Sequence, residues 1–180
     1  AEPDAVLGIG FTADLSPEAM LAAAQDGSIE GMMAWHKPVP GDFYYIPAGT
    51  VHAIGGGLSL IEVQINCDVT YRLYDYGRPR DLHLGCAVDV ASGAIYDPAL
   101  CRAPSGGAHD VLADGPWFRV DRVQGMPGNA CAQSYGMAPL LVMPLSAGVA
   151  VSGEALNPGE CAVAPDLSAL EVGEDARCLL

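Results

Sequence analysis

The sequence predicts a mainly β protein with one short helical insertion and a second, smaller β-sandwich domain toward its C-terminal end. Three observations predict it. Glycine (22) and proline (14) together make up a fifth of the 180 residues and follow no period, which suits short strands joined by turns better than a helical bundle. The hydrophobic fraction, 51%, is ample for a packed core. In the second half of the chain, short β-prone segments recur at even spacing between turn residues, the pattern of a small sandwich.

Residues 1–12 are expected to be extended, with Ala5, Leu7 and Ile9 alternating against smaller neighbours. The helical insertion follows: Ser16 has the chemistry of an N-cap, Pro17 suits the first helical position, and "EAMLAAAQ" consists mostly of good helix formers. A second short helical turn is expected at Ser28 to Met33. From Lys37 to Leu84 the pattern is strand and turn, with "DFYYI" β-prone, "PAGT" and "GGG" turning, and "LSLIEVQIN" and "VTYRLYDY" alternating as strands. In the former, Ser59, Ile61, Val63 and Ile65 would share one face, and Glu62 and Gln64 the polar end of the other. "HLGCAVDVASGAI" reads as a short helix and "APSGGAHDVLADGP" as a linker. The segments beyond it, "WFRVDRV", "ACAQSYGM", "LLVMPLS", "GVAVSG", "CAVAPD" and "LEVGE", read as short strands without a histidine, which disfavours an imidazole-based metal centre there.

The net charge of −14 opposes non-specific attraction to nucleic acid or anionic lipid, so neither is expected as a partner. An anionic ligand needs a local basic site, and Arg72, Arg78 and Arg80 form the densest cluster of cations. The six cysteines lack CxxC spacing, which argues against a zinc knuckle or a thioredoxin-type motif. "AEPDAVLGIGF" has no basic region or apolar core of a secretion signal, and no apolar run reaches membrane-spanning length; a cytoplasmic protein with reduced thiols is expected.

The chemistry concentrates in "GDFYYIPAGTVHAIGGG". Gly41, Pro47, Gly49 and His52 reproduce the spacing G-x5-P-x-G-x2-H-x3-N of the second cupin motif, with Gly56 in place of the asparagine. Two strands joined by a tight Pro/Gly turn would present the histidine to the interior of a jelly-roll barrel, where an imidazole can complete a metal site. "IPAGTVHAIG", followed by "EVQ" and "TYRLYDYGR", resembles the C-terminal part of the catalytic domain of type I mannose-6-phosphate isomerases, and the resemblance extends in order over most of the chain. It implies a cupin jelly roll (RmlC-like) in which residues 1–100 are the C-terminal part of a catalytic zinc domain, with the insertion at about 15–35, and residues 101–180 a second small cupin-like β domain.

The resemblance also implies a zinc-dependent aldose–ketose isomerase that interconverts mannose 6-phosphate and fructose 6-phosphate through an enediol. In that family one Zn2+ per site is held by a Q-x-H element, a glutamate and the histidine of the turn; here only the last is present, as His52. Arg72 matches an arginine that projects into the active site beside the substrate, and a guanidinium suits a sugar phosphate or a developing enediolate. A salt bridge to Asp68 or Asp75 is its structural alternative. Glu62 and Asp68 are the acid/base candidates, and Glu62 is also a candidate partner for His52; Tyr45 and Lys37 are candidate substrate contacts. His36, His83 and His109 lack ligand spacing and are expected to be structural or exposed.

The start on Ala1, within an apparently extended segment, leads us to expect the C-terminal portion of a longer enzyme, with the missing ligands upstream. A sugar phosphate is the expected small-molecule partner, and a homodimer the expected assembly, because missing barrel strands would leave apolar faces and strand edges open. A degenerate cupin that binds sugar or sugar phosphate without catalysis is the alternative, and a metal cupin of other chemistry would need a second histidine in position.

Overall fold

A computed structural model describes residues 1–67 and 69–180. The chain divides into two compact units, Ala1–Ala103 and Pro104–Leu180.

In the first unit, β1 (Leu7–Phe11) is the centre of an antiparallel sheet, flanked by β2 (Met33–His36) and β4 (His52–Ile54), while β3 (Phe43–Tyr44) pairs with β5 (Cys101–Arg102). Leu7 lies opposite both His36 and Ile54, and Ile9 opposite His52. Directly paired residues point to the same side, so Leu7, Ile9, His36, His52 and Ile54 share one face. There Leu7, Ile9 and Tyr96 form a core with Tyr44, Ile46, Leu58 and Leu100 packed on it. The other face is covered by α1 (Pro17–Asp26), α2 (Ile29–Met32) and α3 (Leu84–Val90), through Met20, Ala23, Ala24, Ile29 and Ala87.

Cover on both faces explains why all five residues of β1 are buried instead of alternating as expected. A register shift between Gly8 and Phe11 interrupts the pairing with β2, and Gly10 there has φ +62; such a bulge changes the facing of the next side chain. Phe11 accordingly joins the helix-side core while Ile9 stays on the opposite face. The ends of α1 follow the local signals: the Ser16 hydroxyl accepts from the Ala19 N–H at 3.2 Å, Pro17 opens the helix, and Gly27 closes it at φ +83.

The expected strands over 58–66 and 69–76 do not form. Among the described residues no strand lies between Ile54 and Leu84, and Leu60, Ile61, Val63, Ile65, Val69 and Tyr71 are 37% to 61% exposed. Alternation supplies strand propensity, but a strand exists only when a neighbour accepts its ladder, and among the described residues the segment finds none.

The second unit is a sandwich. A five-stranded sheet in the order β11-β8-β13-β7-β6 and a three-stranded sheet in the order β10-β9-β12 share one core. The larger sheet contains β6 (His109–Asp114), β7 (Arg119–Gln124), β8 (Leu140–Pro144), β11 (Ala162–Ala164) and β13 (Arg177–Leu179); the smaller contains β9 (Val149–Val151), β10 (Glu154–Leu156) and β12 (Leu170–Val172). Val123, Val142, Ala164 and Cys178 from one sheet meet Val149, Val151, Leu170 and Val172 from the other.

Two expectations are corrected here. The linker expected over 103–116 contains β6, whose Asp110 and Asp114 lie opposite Arg122 and Arg119 of β7 and pair with them. Opposite charges across a ladder stabilise it, and this complementarity was hidden by the polar, Gly-rich flanks. "ACAQSYGM" lies largely in α4 (Asn129–Tyr135), not in a strand. Alanine and glutamine favour helix, Gly128 and Gly136 bound it, and the i, i+4 pair Cys131 and Tyr135 faces the core. Among the described residues no helix is long and apolar enough to cross a membrane.

Candidate functional site

The Pro-Ala-Gly turn is built by its own backbone. Thr50 N–H donates to the Pro47 carbonyl at 3.0 Å, and Gly49 adopts φ +83 while its carbonyl accepts from Ser92 N–H at 2.8 Å. A Cβ on Gly49 would lie 2.6 Å from the Val90 carbonyl oxygen. Gly49→Ala therefore combines a left-handed backbone with a clash against main chain, and is expected to destabilise the first unit by about 1–3 kcal/mol; a thermal midpoint equal to wild type would refute this.

The turn delivers His52 to the start of β4, exposed. Its Nδ1 lies 3.0 Å from the Thr50 carbonyl oxygen. A carbonyl only accepts, so Nδ1 is the donor in this contact, and in the neutral ring that tautomer leaves the Nε2 lone pair available, the arrangement that suits a metal-ligating imidazole. Tyr45, half-buried, is fixed through its main chain: its N–H donates to the Leu100 carbonyl and its carbonyl accepts from the Tyr96 hydroxyl, both at 2.9 Å. Lys37 and Glu62 are exposed, and the recorded ring contact of His52 is Thr50, not Glu62. Asp68 lies outside the described residues.

Arg72 is held at three points. Its backbone N–H donates to His83 Nδ1 at 3.0 Å, its carbonyl accepts from the His83 N–H at 2.8 Å, and its Nη1 donates to the Asp81 carbonyl at 3.1 Å. The salt bridge considered between Arg72 and Asp75 is replaced by another: Asp75, buried, accepts two bonds from Arg80, with Arg78 3.7 Å away. Those bonds hold the Asp75 carboxyl below the ordinary carboxylate range. Arg78 also lies over the Tyr76 ring, 5.5 Å from its centroid. Among the described residues, no hydrogen bond or ion pair joins any two of His52, Glu62, Arg72, Tyr45 and Lys37.

A second polar centre, missed at the sequence level, lies in the other unit. Asp121 on β7 has no exposed surface and accepts from His109 Nε2 (2.5 Å), Arg119 Nε (2.6 Å), Arg119 Nη2 (3.0 Å) and the Tyr135 hydroxyl (2.7 Å). Burial pushes its carboxyl up, but these donors together hold it below the ordinary range. His109, Asp121 and Cys131 place ligand atoms within 4.8 Å of one another, the one such group among the described residues. Both carboxylate oxygens are already saturated, a guanidinium supplies the compensating charge, and burial raises the Cys131 thiol toward its protonated form. The donor set therefore suits a hydrogen-bonded hub better than a coordination site. It also places a histidine inside the second unit, where the sequence was read as lacking one.

No protein-family model matches the chain. Over 95 residues it is 40% identical to mannose-6-phosphate isomerase ManA of Bacillus subtilis (strain 168), covering 49% of this chain and 30% of that protein. Over 141 residues it is 35% identical to the mannose-6-phosphate isomerase of Streptococcus mutans serotype c (strain ATCC 700610 / UA159), covering 70% of this chain and 43% of that protein. This chain is a homologue of the mannose-6-phosphate isomerases. A solved structure of the mannose 6-phosphate isomerase from Bacillus subtilis matches 99% of this chain over 60% of its own, with a TM-score of 0.74 at 24% identity. The mainly β fold expected from the sequence is thereby shared with a solved isomerase. The matched region of this homologue spans less than half the length of the two curated relatives.

In the neutral tautomer with Nδ1 on Thr50, His52 Nε2 offers one donor atom of the kind a metal ion would need. Among the described residues, no group of three His, Cys, Asp or Glu side chains gathers around it. A four-coordinate zinc needs at least three protein ligands, so the described residues of this isomerase homologue do not by themselves compose the centre.

Proposed function

We propose that this chain belongs to a cytoplasmic, zinc-dependent isomerase that interconverts mannose 6-phosphate and fructose 6-phosphate. Residues 1–100 would be part of its catalytic cupin domain and 101–180 a second small cupin-like domain. The observation that carries this reading is the His52 turn, with Nε2 free to ligate, in a chain whose relatives are named for that reaction. His52 supplies one ligand, and the rest come from polypeptide outside these residues. When bound, zinc supplies Lewis-acid polarisation of the sugar's oxygens; because the present donor set is incomplete, no step is assigned to the ion.

The chain's own residues supply charge and proton handling. Moving the carbonyl between C1 and C2 requires removing a proton from one carbon and returning one to the other, with negative charge developing on oxygen between them. Arg72, fixed by His83 and Asp81, is the candidate to stabilise that charge or to hold the phosphate. Glu62 and Asp68 are the candidate proton carriers, and Tyr45 and Lys37 the candidate substrate contacts. A homodimer is the proposed assembly, and neither nucleic acid nor membrane a proposed partner.

Fructose 6-phosphate formation, followed in a coupled assay on the intact enzyme before and after chelation, tests the reading. Turnover is expected to vanish on chelation and return with zinc, and Arg72→Ala is expected to lower kcat/KM by about 10²–10³-fold. Turnover that survives chelation refutes the zinc dependence. Mannose 6-phosphate binding without turnover would favour a non-catalytic binding module, a reading encouraged by the single ligand among the described residues.

A further inference from the structure

We propose that His83 is the positioning residue for Arg72, its Nδ1 acting as an obligatory hydrogen-bond acceptor that sets where the guanidinium projects. The inference rests on the reading that Arg72 faces the substrate. The two residues exchange a reciprocal pair of bonds across eleven positions: Arg72 N–H to His83 Nδ1 at 3.0 Å, and His83 N–H to the Arg72 carbonyl at 2.8 Å. Either bond alone would be an ordinary loop contact. Together they lock the backbone of Arg72 to the residue that precedes the first turn of α3, and the Arg72 side chain then reaches the Asp81 carbonyl within the same loop.

The direction of the first bond fixes the chemistry. A backbone N–H only donates, so His83 Nδ1 must hold a lone pair and the ring must be neutral with its proton on Nε2. An imidazolium has no such lone pair; protonation replaces the acceptor by a second donor facing the Arg72 N–H and opens the clasp. Among the described residues, no acceptor for the Arg72 N–H other than His83 Nδ1 is observed. The Tyr71 ring packs edge-on at 6.0 Å, the Asp81 carbonyl is engaged by Arg72 Nη1, and Asp75 is engaged by Arg80 and Arg78. α3 follows directly, and its N-terminal end takes no side-chain cap from His83, which leaves Nδ1 to Arg72. The sequence marked His83 only as structural or exposed; the structure gives it a partner eleven residues upstream.

The proposal makes acid pH and loss of the imidazole equivalent. It also makes His83→Asn a rescue, because the side-chain carbonyl of an asparagine falls near the position of Nδ1 and accepts at every pH. Amide exchange at Arg72 and the nitrogen NMR pattern of His83 are to be measured on the whole protein, beside mannose 6-phosphate turnover. Nδ1 is expected to be unprotonated at neutral pH. His83→Leu should accelerate exchange at the Arg72 N–H by about five- to tenfold, the amount one net hydrogen bond supports, and lower kcat more than it raises KM. His83→Asn should keep both within about twofold of wild type. Acidification should reproduce the leucine phenotype in wild type and leave His83→Asn unaffected. Equal Arg72 exchange in His83→Leu and His83→Asn, a protonated Nδ1 at neutral pH, or wild-type protection that does not change with pH each overturns the proposal. If the exchange results hold while Arg72→Ala keeps full turnover, the clasp stands and the isomerase role of Arg72 fails, so the two ideas are separately decided.

Discussion

Asp121→Ala is expected to destabilise the second unit by about 3–5 kcal/mol, the cost of removing one partner from a buried ionic cluster. The carboxylate joins three elements: His109 from β6, Arg119 from its own strand β7, and Tyr135 from α4. Its main chain also exchanges bonds with Leu180, whose carbonyl accepts from Tyr135 as well. Without the carboxylate, the Arg119 guanidinium retains only the exposed Asp114, and the Tyr135 hydroxyl retains Leu180. Urea unfolding followed through Trp117, which lies in the second unit, reads the loss; a change below about 1 kcal/mol would show that the hub is dispensable. The same group sets an acid limit. Its folded carboxyl titrates below the ordinary value of about 4, so the unfolded chain binds the proton more readily. The contribution is present above that ordinary value and is lost as pH falls through the depressed one. Asp121→Ala should therefore flatten the acid limb of the stability curve, and an unchanged limb would assign acid unfolding elsewhere.

His52→Ala is expected to lower kcat/KM on the order of 10³-fold, as the loss of several kcal/mol of metal-borne charge stabilisation requires, while leaving stability within about 0.5 kcal/mol. The contrast follows from position. His52 is exposed on a three-residue edge strand, and its side chain contributes a single recorded bond, to Thr50. Its removal costs little packing, so a large kinetic effect on an unchanged fold would be chemical in origin. Metal content measured on the same samples separates ligand loss from substrate effects. Full zinc occupancy with wild-type turnover in His52→Ala would end the assignment.

The residues that were legible in the sequence are those whose structure is made locally. Ser16 caps the helix that Pro17 opens, because the capping bond spans three residues. Pro47, Gly49 and His52 form their turn through contacts within the motif and a glycine whose left-handed φ other residues rarely adopt. What escaped depended on partners far along the chain. "LSLIEVQIN" alternates correctly for a strand and is not one, because the ladder needs a neighbour that periodicity cannot supply. β6 hid in a glycine-rich stretch because its evidence was a set of charges on β7. The same holds at the candidate site. His52 was found alone through its motif, whereas the acceptor for Arg72 lay eleven residues away and the Asp121 cluster was assembled from two strands and a helix. Side chains that serve one another across elements leave no spacing to recognise.

The exposure of Leu60, Ile61, Val63, Ile65, Val69 and Tyr71 has a calorimetric consequence. These side chains are 37% to 61% exposed in the folded chain, so unfolding exposes less new apolar surface there than at buried positions. The heat-capacity increment of the first unit should then fall below the usual figure of about 12–15 cal/mol/K per residue. Any process that withdraws these side chains from water should carry a negative heat-capacity change. That sign distinguishes burial of these residues from a purely polar association, whatever the enthalpy at a single temperature.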